Sequence, residues 1–185
     1  MCSSDLLDFQ DAIKLVELRG NAMQQAVPAG TGAMFAIIGL ENEAIIKACE
    51  QASSETGEIV SAVNFNSPGQ VVIAGTKTAA TRAGELCKEA GAKRALPLAV
   101  SVPSHCALMK PAADKLAEAL QNITLNAPLV PVINNVDVAT ETDAEKIRDA
   151  LVRQLYSPVR WTETVEKMAK DGDRKSTRLN SSHIT

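Results

Sequence analysis

The sequence lacks several features that mark large classes of protein. No apolar run approaches the roughly 18 residues of a membrane span, and no basic segment precedes an apolar one as in a secretory signal. Positive charge is also scarce, because 19 Lys and Arg residues face 22 Asp and Glu residues, giving a net charge of −3. This balance disfavours nucleic acid and anionic membranes as partners, since both select basic surfaces.

Cysteine pairs with metal-binding or redox spacing are absent as well. The four cysteines are Cys2, Cys49, Cys87 and Cys106, and no two of them form a CxxC motif. Their spacing predicts reduced thiols in a cytoplasmic protein and disfavours a zinc site, so we expect no metal. The sequence also contains no GxSxG elbow, Walker loop, GxGxxG or HExxH motif, so short motifs name no reaction.

Both ends of the chain look foreign to the rest. Residues 1–6 and 173–185 resemble translated sequencing-adapter DNA, and the second segment is polar and aperiodic. We interpret both as non-native and exclude them from fold prediction. Of the two histidines in the chain, His183 then falls in the foreign tail, and His105 is the only one left.

The first native segment is predicted to be an amphipathic helix over 8–26. Apolar residues recur at helical spacing along one stripe; they are Phe9, Ala12, Ile13, Val16 and Met23. Arg19 lies on the flank of that stripe and not on the opposite polar face. A guanidinium in this position must either reach water or bind an anion.

Over the next 70 residues the spacing of the apolar residues switches between that of a strand and that of a helix, in the order β-α-β-β-α-β. This order is typical of a ferredoxin-like unit, an antiparallel sheet with two helices on one face. The predicted elements are strand 33–40, helix 41–53, strand 58–66, strand 70–75, helix 76–90 and strand 93–102, with Gly91 at the second helix C-terminus.

After the last of these strands, helices and a strand alternate again. Helices are predicted over 109–121, 143–155 and 162–170, with a strand over 128–136 and a loop over 156–161. This pattern favours a parallel α/β layer. A single strand cannot form the sheet of such a layer. We therefore expect residues 7–30 and 103–172 to be two parts of one incomplete α/β domain, with 31–102 inserted between them. Such a domain should expose apolar helix faces.

A Pro-Ser turn follows the predicted strand 93–102, and it places His105 just before the next predicted helix. Side chains at strand ends, held by the following turn, are often functional in α/β proteins. His105 is therefore the candidate base, although a structural loop histidine is the simpler interpretation on position alone. Residue types alone offer only this histidine and Arg19, which is too little to name a reaction.

Three segments resemble malonyl-CoA:acyl carrier protein transacylases, an acyltransferase family. They are AIKLVELRGNAMQ at 12–24, VNFNSPGQVVIAG at 63–75 and VSVPSHCALM at 100–109. The resemblance runs from about residue 7 to 172 without a large gap. It implies a hydrolase-like α/β domain with a ferredoxin-like insert. It also implies transfer of a malonyl group from coenzyme A to the phosphopantetheine thiol of acyl carrier protein through a serine ester.

The resemblance assigns a role to three residues of this chain. Arg19 matches the arginine that binds the malonyl carboxylate, and a planar guanidinium can do so bidentately. His105 matches the base that activates the serine and later the thiol. Asn66 matches a position lining the substrate cleft, although an asparagine in a turn is the simpler account. No cofactor is implied beyond the substrate malonyl-CoA.

The chain departs from the family pattern at the nucleophile. The family's GHSLGE-type elbow would precede Leu7 and does not occur in this sequence, so we expect the chain alone to be inactive. Two other interpretations stay open. One is a fragment of a polyketide synthase acyltransferase domain, and the other is a free-standing ferredoxin-like binding module over 32–102.

Overall fold

A computed structural model of the chain describes residues 5–100 and 102–173. Most of the two ends interpreted as non-native, together with Ser101, lies outside the described residues. The elements in chain order are α1 (Phe9–Ala26), β1 (Gly32–Ile38), α2 (Asn42–Thr56), β2 (Val60–Ser67), β3 (Gln70–Thr76), α3 (Lys77–Glu89), β4 (Arg94–Pro97), a 3-10 helix (Ala107–Met109), α4 (Lys110–Gln121), β5 (Ile133–Asn134), β6 (Ala139–Thr140), α5 (Ala144–Arg153) and α6 (Trp161–Lys170).

Strands β1 to β4 form one antiparallel sheet in the spatial order β2-β3-β1-β4. The predicted chain order β-α-β-β-α-β is thus the order that the structure has, with boundaries shifted by a few residues. The central pair is β1 with β3, whose register runs from Gly32 opposite Thr76 to Ile38 opposite Gln70.

The two faces of this sheet bury different parts of the chain. Alternate strand residues such as Ile37 and Ile73 pack against α2 and α3 in the larger apolar cluster. The intervening residues, among them Met34 and Val72, form a second cluster with Cys106, which follows His105. Since strand side chains alternate between faces, both helices cover one face and the His105 segment covers the other.

Side-chain caps fix where three of the helices begin. The Asp8 carboxylate accepts from the backbone N–H groups of Gln10 and Asp11 at the start of α1. Thr76 and Asp143 cap α3 and α5 in the same manner. These short polar side chains satisfy N–H groups that have no partner within a helix.

Helix α1 is apolar on two sides and packs along only one of them. Its C-terminal half buries Ala22 and Met23 against α4 in a cluster that also contains Leu155. The residues Phe9, Ile13 and Val16 are 64%, 51% and 65% exposed. This exposure agrees with the expected open helix face. Among the described residues, no helix has the length and apolarity needed to cross a membrane.

The strand predicted over 128–136 is wrong for most of its length. Only Ile133–Asn134 is a strand, and it pairs antiparallel with Ala139–Thr140 in a two-stranded hairpin. Leu129, Val130 and Val132 are 77%, 55% and 44% exposed. An extended segment becomes a strand only beside a neighbour that binds its backbone groups, and no described strand lies beside 128–132.

The strand predicted over 93–102 is too long. Strand β4 ends at Pro97, after which one further bond joins the Leu98 N–H to the Met34 carbonyl at 2.9 Å. The chain then leaves the sheet and brings Pro103 against the first residue of β1. A Cβ added to Gly32 would lie 2.5 Å from Pro103 Cδ, so this close contact requires glycine.

Gly75 offers a test of the β2–β3 pairing. A Cβ at this position would lie 2.1 Å from the Ile59 carbonyl oxygen and 2.6 Å from Val60 Cα. We expect Gly75→Ala to lower the free energy of unfolding by about 1–3 kcal/mol, because backbone atoms would have to move. Gly20→Ala is the control, since its Cβ would meet nothing within 4 Å and a helical alanine should add about 0.5–1 kcal/mol. Urea unfolding measures both, and equal effects would contradict the register.

Candidate active site

His105 is held at two points by the C-terminal turn of α5. Its backbone N–H donates to the Leu155 carbonyl at 3.1 Å, and its ring Nδ1 lies 2.7 Å from the Gln154 carbonyl oxygen. A helix C-terminus presents carbonyl groups that have no partner within the helix. The sequence places Gln154 and Leu155 directly after α5, so two of these carbonyls are available to His105.

These contacts determine the tautomer of the imidazole. A carbonyl oxygen only accepts hydrogen bonds, so Nδ1 must carry the proton and donate it to Gln154. In the neutral ring, Nε2 is then unprotonated and available as an acceptor. This is the arrangement of a general base whose orientation is fixed by a third group.

The backbone of His105 has an unusual conformation. Its φ angle is +62°, which L-residues other than glycine adopt at some cost. The preceding turn is fixed by a bond from the Ser104 N–H to the Val102 carbonyl at 3.0 Å. The following Cys106 thiol donates to the Pro103 carbonyl at 3.2 Å. The surrounding contacts therefore hold the histidine in a conformation that it would not favour alone.

The environment of His105 disfavours the charged form of the imidazole. Burial lowers the pKa of His105, the hydrogen bond to Gln154 opposes that shift, and the charge of Arg19 lowers it further. Burial also lowers the pKa of Arg19, but a guanidinium remains protonated near neutral pH. The charge of Arg19 thus acts on His105, although the two residues are 86 positions apart in the chain.

Arg19 and His105 line two different cavities. Arg19 and Gln154 line a cavity of about 410 Å³ whose other walls are apolar. His105 and Ser104 line a second cavity of about 600 Å³ beside α1 and the sheet. Gln154 therefore contacts His105 through its carbonyl and borders the cavity of Arg19. No described residue makes an ion pair or a hydrogen bond with Arg19.

The third candidate, Asn66, stands apart from both cavities. It is half-buried near the end of β2, at a position that the pairing with β3 skips between Phe65 and Ser67. The asparagine that lines the 600 Å³ cavity is Asn64. The role of Asn66 in substrate binding therefore stays a prediction.

Sequence analysis missed Asn64 and Gln154. Asn64 and Asn66 lie in the same NFN run, and regular strand alternation would put both side chains on one face of β2. The irregularity between Phe65 and Ser67 breaks that alternation. Gln154 acts through its backbone carbonyl, which every residue has, and no side-chain pattern could have found it.

The loop between α5 and α6 ties this site to the sheet. The Val159 N–H donates to the Val63 carbonyl at 2.7 Å, and the Phe65 N–H donates to the Val159 carbonyl at 2.9 Å. The Thr162 hydroxyl adds a bond to the Phe65 carbonyl at 3.0 Å. The edge strand β2 and the end of α5 are therefore fixed relative to each other, and with them Asn64 and His105.

Within the described residues, no cluster of three or more His, Cys, Asp or Glu side chains could hold a metal ion.

The buried thiols do not offer a nucleophile. Burial raises the pKa of Cys106 and raises the pKa of Cys87 to about 11. A thiol with a raised pKa stays protonated and unreactive near neutral pH.

The electrostatic coupling of Arg19 and His105 can be measured by NMR. We expect Arg19→Gln to raise the pKa of His105, because the mutation removes a nearby positive charge that disfavours protonation. The imidazole Cε1–H resonance of each histidine reports its titration. His105→Asn identifies the resonance, since asparagine tolerates a positive φ and leaves only His183. An unchanged pKa of His105 in the Arg19→Gln chain would contradict an electrostatic coupling between the guanidinium and the imidazole.

Comparison with known proteins connects this site to one family. Residues 3–177 match the family described as acyl transferase domain. A malonyl CoA-acyl carrier protein transacylase of Haemophilus influenzae is 77% identical over 167 residues, which are 90% of this chain and 53% of the relative. The crystal structure of an acyl carrier protein S-malonyltransferase from Vibrio cholerae is 73% identical, with a TM-score of 0.89 over 91% of this chain and 55% of that chain.

A second solved structure is a malonyl-transacylase in complex with a type II PKS acyl-carrier protein. It is 67% identical, with a TM-score of 0.89, and the match covers 91% of this chain and 54% of that chain. The chain thus spans about half the length of the relatives that it matches. Because the family match includes nearly every residue, the chain belongs to the acyl transferase domain family.

Proposed function

We propose that this chain is part of an enzyme that moves a malonyl group from coenzyme A to the phosphopantetheine thiol of acyl carrier protein. The observation that carries the proposal is the His105 imidazole, whose Nδ1 is held 2.7 Å from the Gln154 carbonyl oxygen so that Nε2 is left as the acceptor. The names of the relatives in H. influenzae and V. cholerae support malonyl transfer to an acyl carrier protein. The cellular setting that we propose is fatty acid synthesis in the cytoplasm.

In this proposal His105 acts twice as a base through Nε2. It first removes the proton of a serine hydroxyl as that oxygen attacks the thioester carbonyl, and it then protonates the departing thiolate of coenzyme A. In the second half-reaction it removes the proton of the phosphopantetheine thiol, which attacks the serine ester, and returns the proton to the serine oxygen. The fixed Nδ1–H···O=C bond keeps the same nitrogen free in each step.

Arg19 is proposed to bind the free carboxylate of the malonyl group. Support comes from its half-buried position and from the absence of an ion pair with any described residue. Arg19 also lines a cavity together with Gln154, whose carbonyl contacts His105. A charged hydrogen-bond donor that no described residue pairs with, in an otherwise apolar cavity, favours an anionic ligand over a neutral one. Asn66 is retained as a proposed substrate-binding residue.

The proposed domain organisation is a ferredoxin-like subdomain over 31–102 inserted in an incomplete hydrolase-like α/β domain. Its parts are 7–30 and 103–172, and the ends 1–6 and 173–185 are proposed to be non-native. The sheet order β2-β3-β1-β4 with two helices on one face supports the ferredoxin-like assignment. The family match on both sides of 32–102 disfavours a free-standing module.

The chain alone should not form an acyl-enzyme, because its sequence holds no GxSxG-type serine elbow. After incubation with radiolabelled malonyl-CoA, we expect intact-mass spectrometry and scintillation counting to find no covalent malonyl group on the protein. The H. influenzae relative, treated in parallel, is the positive control. A stable serine ester on this chain would show that it carries its own nucleophile.

In a full-length acyltransferase that contains this chain, Arg19→Ala should relax acyl selectivity. We expect kcat/KM for malonyl-CoA to fall by about two orders of magnitude, because a buried charge-assisted pair is lost, with little change for acetyl-CoA. Arg94→Ala is the matched control, since Arg94 is exposed on β4. Undiminished preference for malonyl-CoA in Arg19→Ala would remove the carboxylate-binding role.

A further inference from the structure

The turn of the β5–β6 hairpin holds its backbone in a strained conformation. Val138 has a φ angle of +56°, which a β-branched residue rarely adopts, and such strain is often found near functional sites. The Asn134 side chain closes the turn. Its Oδ1 accepts from the Asp137 N–H at 2.8 Å, and its Nδ2 donates to the Ala139 carbonyl at 3.0 Å. The backbone of Asp137 is therefore fixed within the turn.

Asp137 forms a bidentate ion pair with Arg153, the last residue of α5. Nη1 and Nη2 of the guanidinium lie 2.9 Å and 2.7 Å from the two carboxylate oxygens. The hydrogen bonds from Arg153 lower the pKa of Asp137, so the carboxylate stays charged near neutral pH. An exposed ion pair usually adds little stability, but two parallel bonds fix the relative orientation of the two groups. The pair therefore sets the position of the end of α5 relative to the hairpin.

The carbonyl of Gln154, which directly follows Arg153, is free to accept from His105. In a continuing helix this carbonyl would accept from the N–H four residues later, but that residue is Pro158, which has no N–H. The carbonyl oxygen instead lies 2.7 Å from Nδ1 of His105. Its direction therefore depends on how the end of α5 is held.

The hairpin contacts both ends of the loop that begins at Gln154. At the far end, the Arg160 backbone N–H donates to the Asn135 carbonyl at 3.3 Å, and its Nη1 donates to the Val136 carbonyl at 3.2 Å. At the near end, the contact is the ion pair of Arg153. Of these contacts, the ion pair is the one next to the carbonyl that orients the imidazole.

We propose that Asp137 is a positioning residue for His105: by holding Arg153, it keeps the Gln154 carbonyl where that group accepts the Nδ1 proton. Within the described part of the chain, Asp137 makes no hydrogen bond with the imidazole and lines neither cavity. It therefore acts through the backbone at the end of α5. The value of this positioning for catalysis rests on the proposed function, whereas the tautomer of His105 does not.

The test is the tautomer of His105 in the chain, measured by long-range proton–nitrogen correlation NMR at a pH of about 8, where an imidazole is neutral. We expect the ring of the unchanged chain to be protonated at Nδ1, as the contact with Gln154 requires. Asp137→Ala should lower the population of this tautomer at least about twofold, because a ring without a fixed acceptor exchanges between both forms.

Asp149→Ala is the matched control. Asp149 accepts from Nε of the same Arg153 guanidinium at 2.5 Å, but it lies on α5 itself and does not join the helix to the hairpin. Its removal takes away the same charge and should leave the tautomer unchanged. An equal shift in Asp149→Ala and Asp137→Ala would overturn the inference, because loss of charge alone would then explain both.

Arg153→Lys is a second variant of the same ion pair. A lysine keeps the charge but cannot form two parallel bonds with a carboxylate, so it should shift the tautomer in the same direction. Its result decides the question if amide correlation spectra show that Asp137→Ala does not fold. An unchanged tautomer in either folded variant would overturn the inference. If the tautomer shifts but the proposed malonyl transfer proves wrong, the positioning role of Asp137 stands, so the two failures are distinguishable.

Discussion

The short turn around His105 is the constraint on which the arrangement of this molecule depends. Pro103 packs against Gly32 at the start of β1, and Cys106 reaches the apolar cluster beneath the sheet. Between them, His105 takes both a backbone and a side-chain contact from the end of α5. The four residues from Pro103 to Cys106 thus connect the sheet to the end of α5, and the same contacts that join these elements orient the imidazole.

The same turn explains why backbone strain at His105 persists. A positive φ costs a non-glycine residue of the order of 1–3 kcal/mol unless the surroundings enforce it. Here Pro103 is fixed on one side and Leu155 accepts the His105 N–H on the other. Relaxing φ would break that bond and turn Nδ1 away from Gln154. Structural stability and the orientation of the candidate base therefore share the same bonds.

Local signals in the sequence predicted most of the helices and the sheet, and non-local requirements account for the failures. Asp8, Thr76 and Asp143 cap helices close to where periodicity placed them. The strand over 128–136 failed because its alternation describes a side-chain pattern, whereas a strand also needs a neighbour. Arg19 and His105 were identifiable because unusual side chains stood in unusual places. Gln154 was not, because its contribution is a main-chain carbonyl.

Under the proposed function, the coupling of Arg19 to His105 would make the base respond to its substrate. Burial lowers the pKa of the imidazole, and the charge of Arg19 lowers it further, which favours an unprotonated Nε2 but also makes it a weaker base. A carboxylate bound to Arg19 would offset that charge and raise the pKa of His105 again. The imidazole would then be more basic with an acidic acyl group in place than with a neutral one. Selectivity for the acyl group and activation of the nucleophile would follow from one electrostatic interaction.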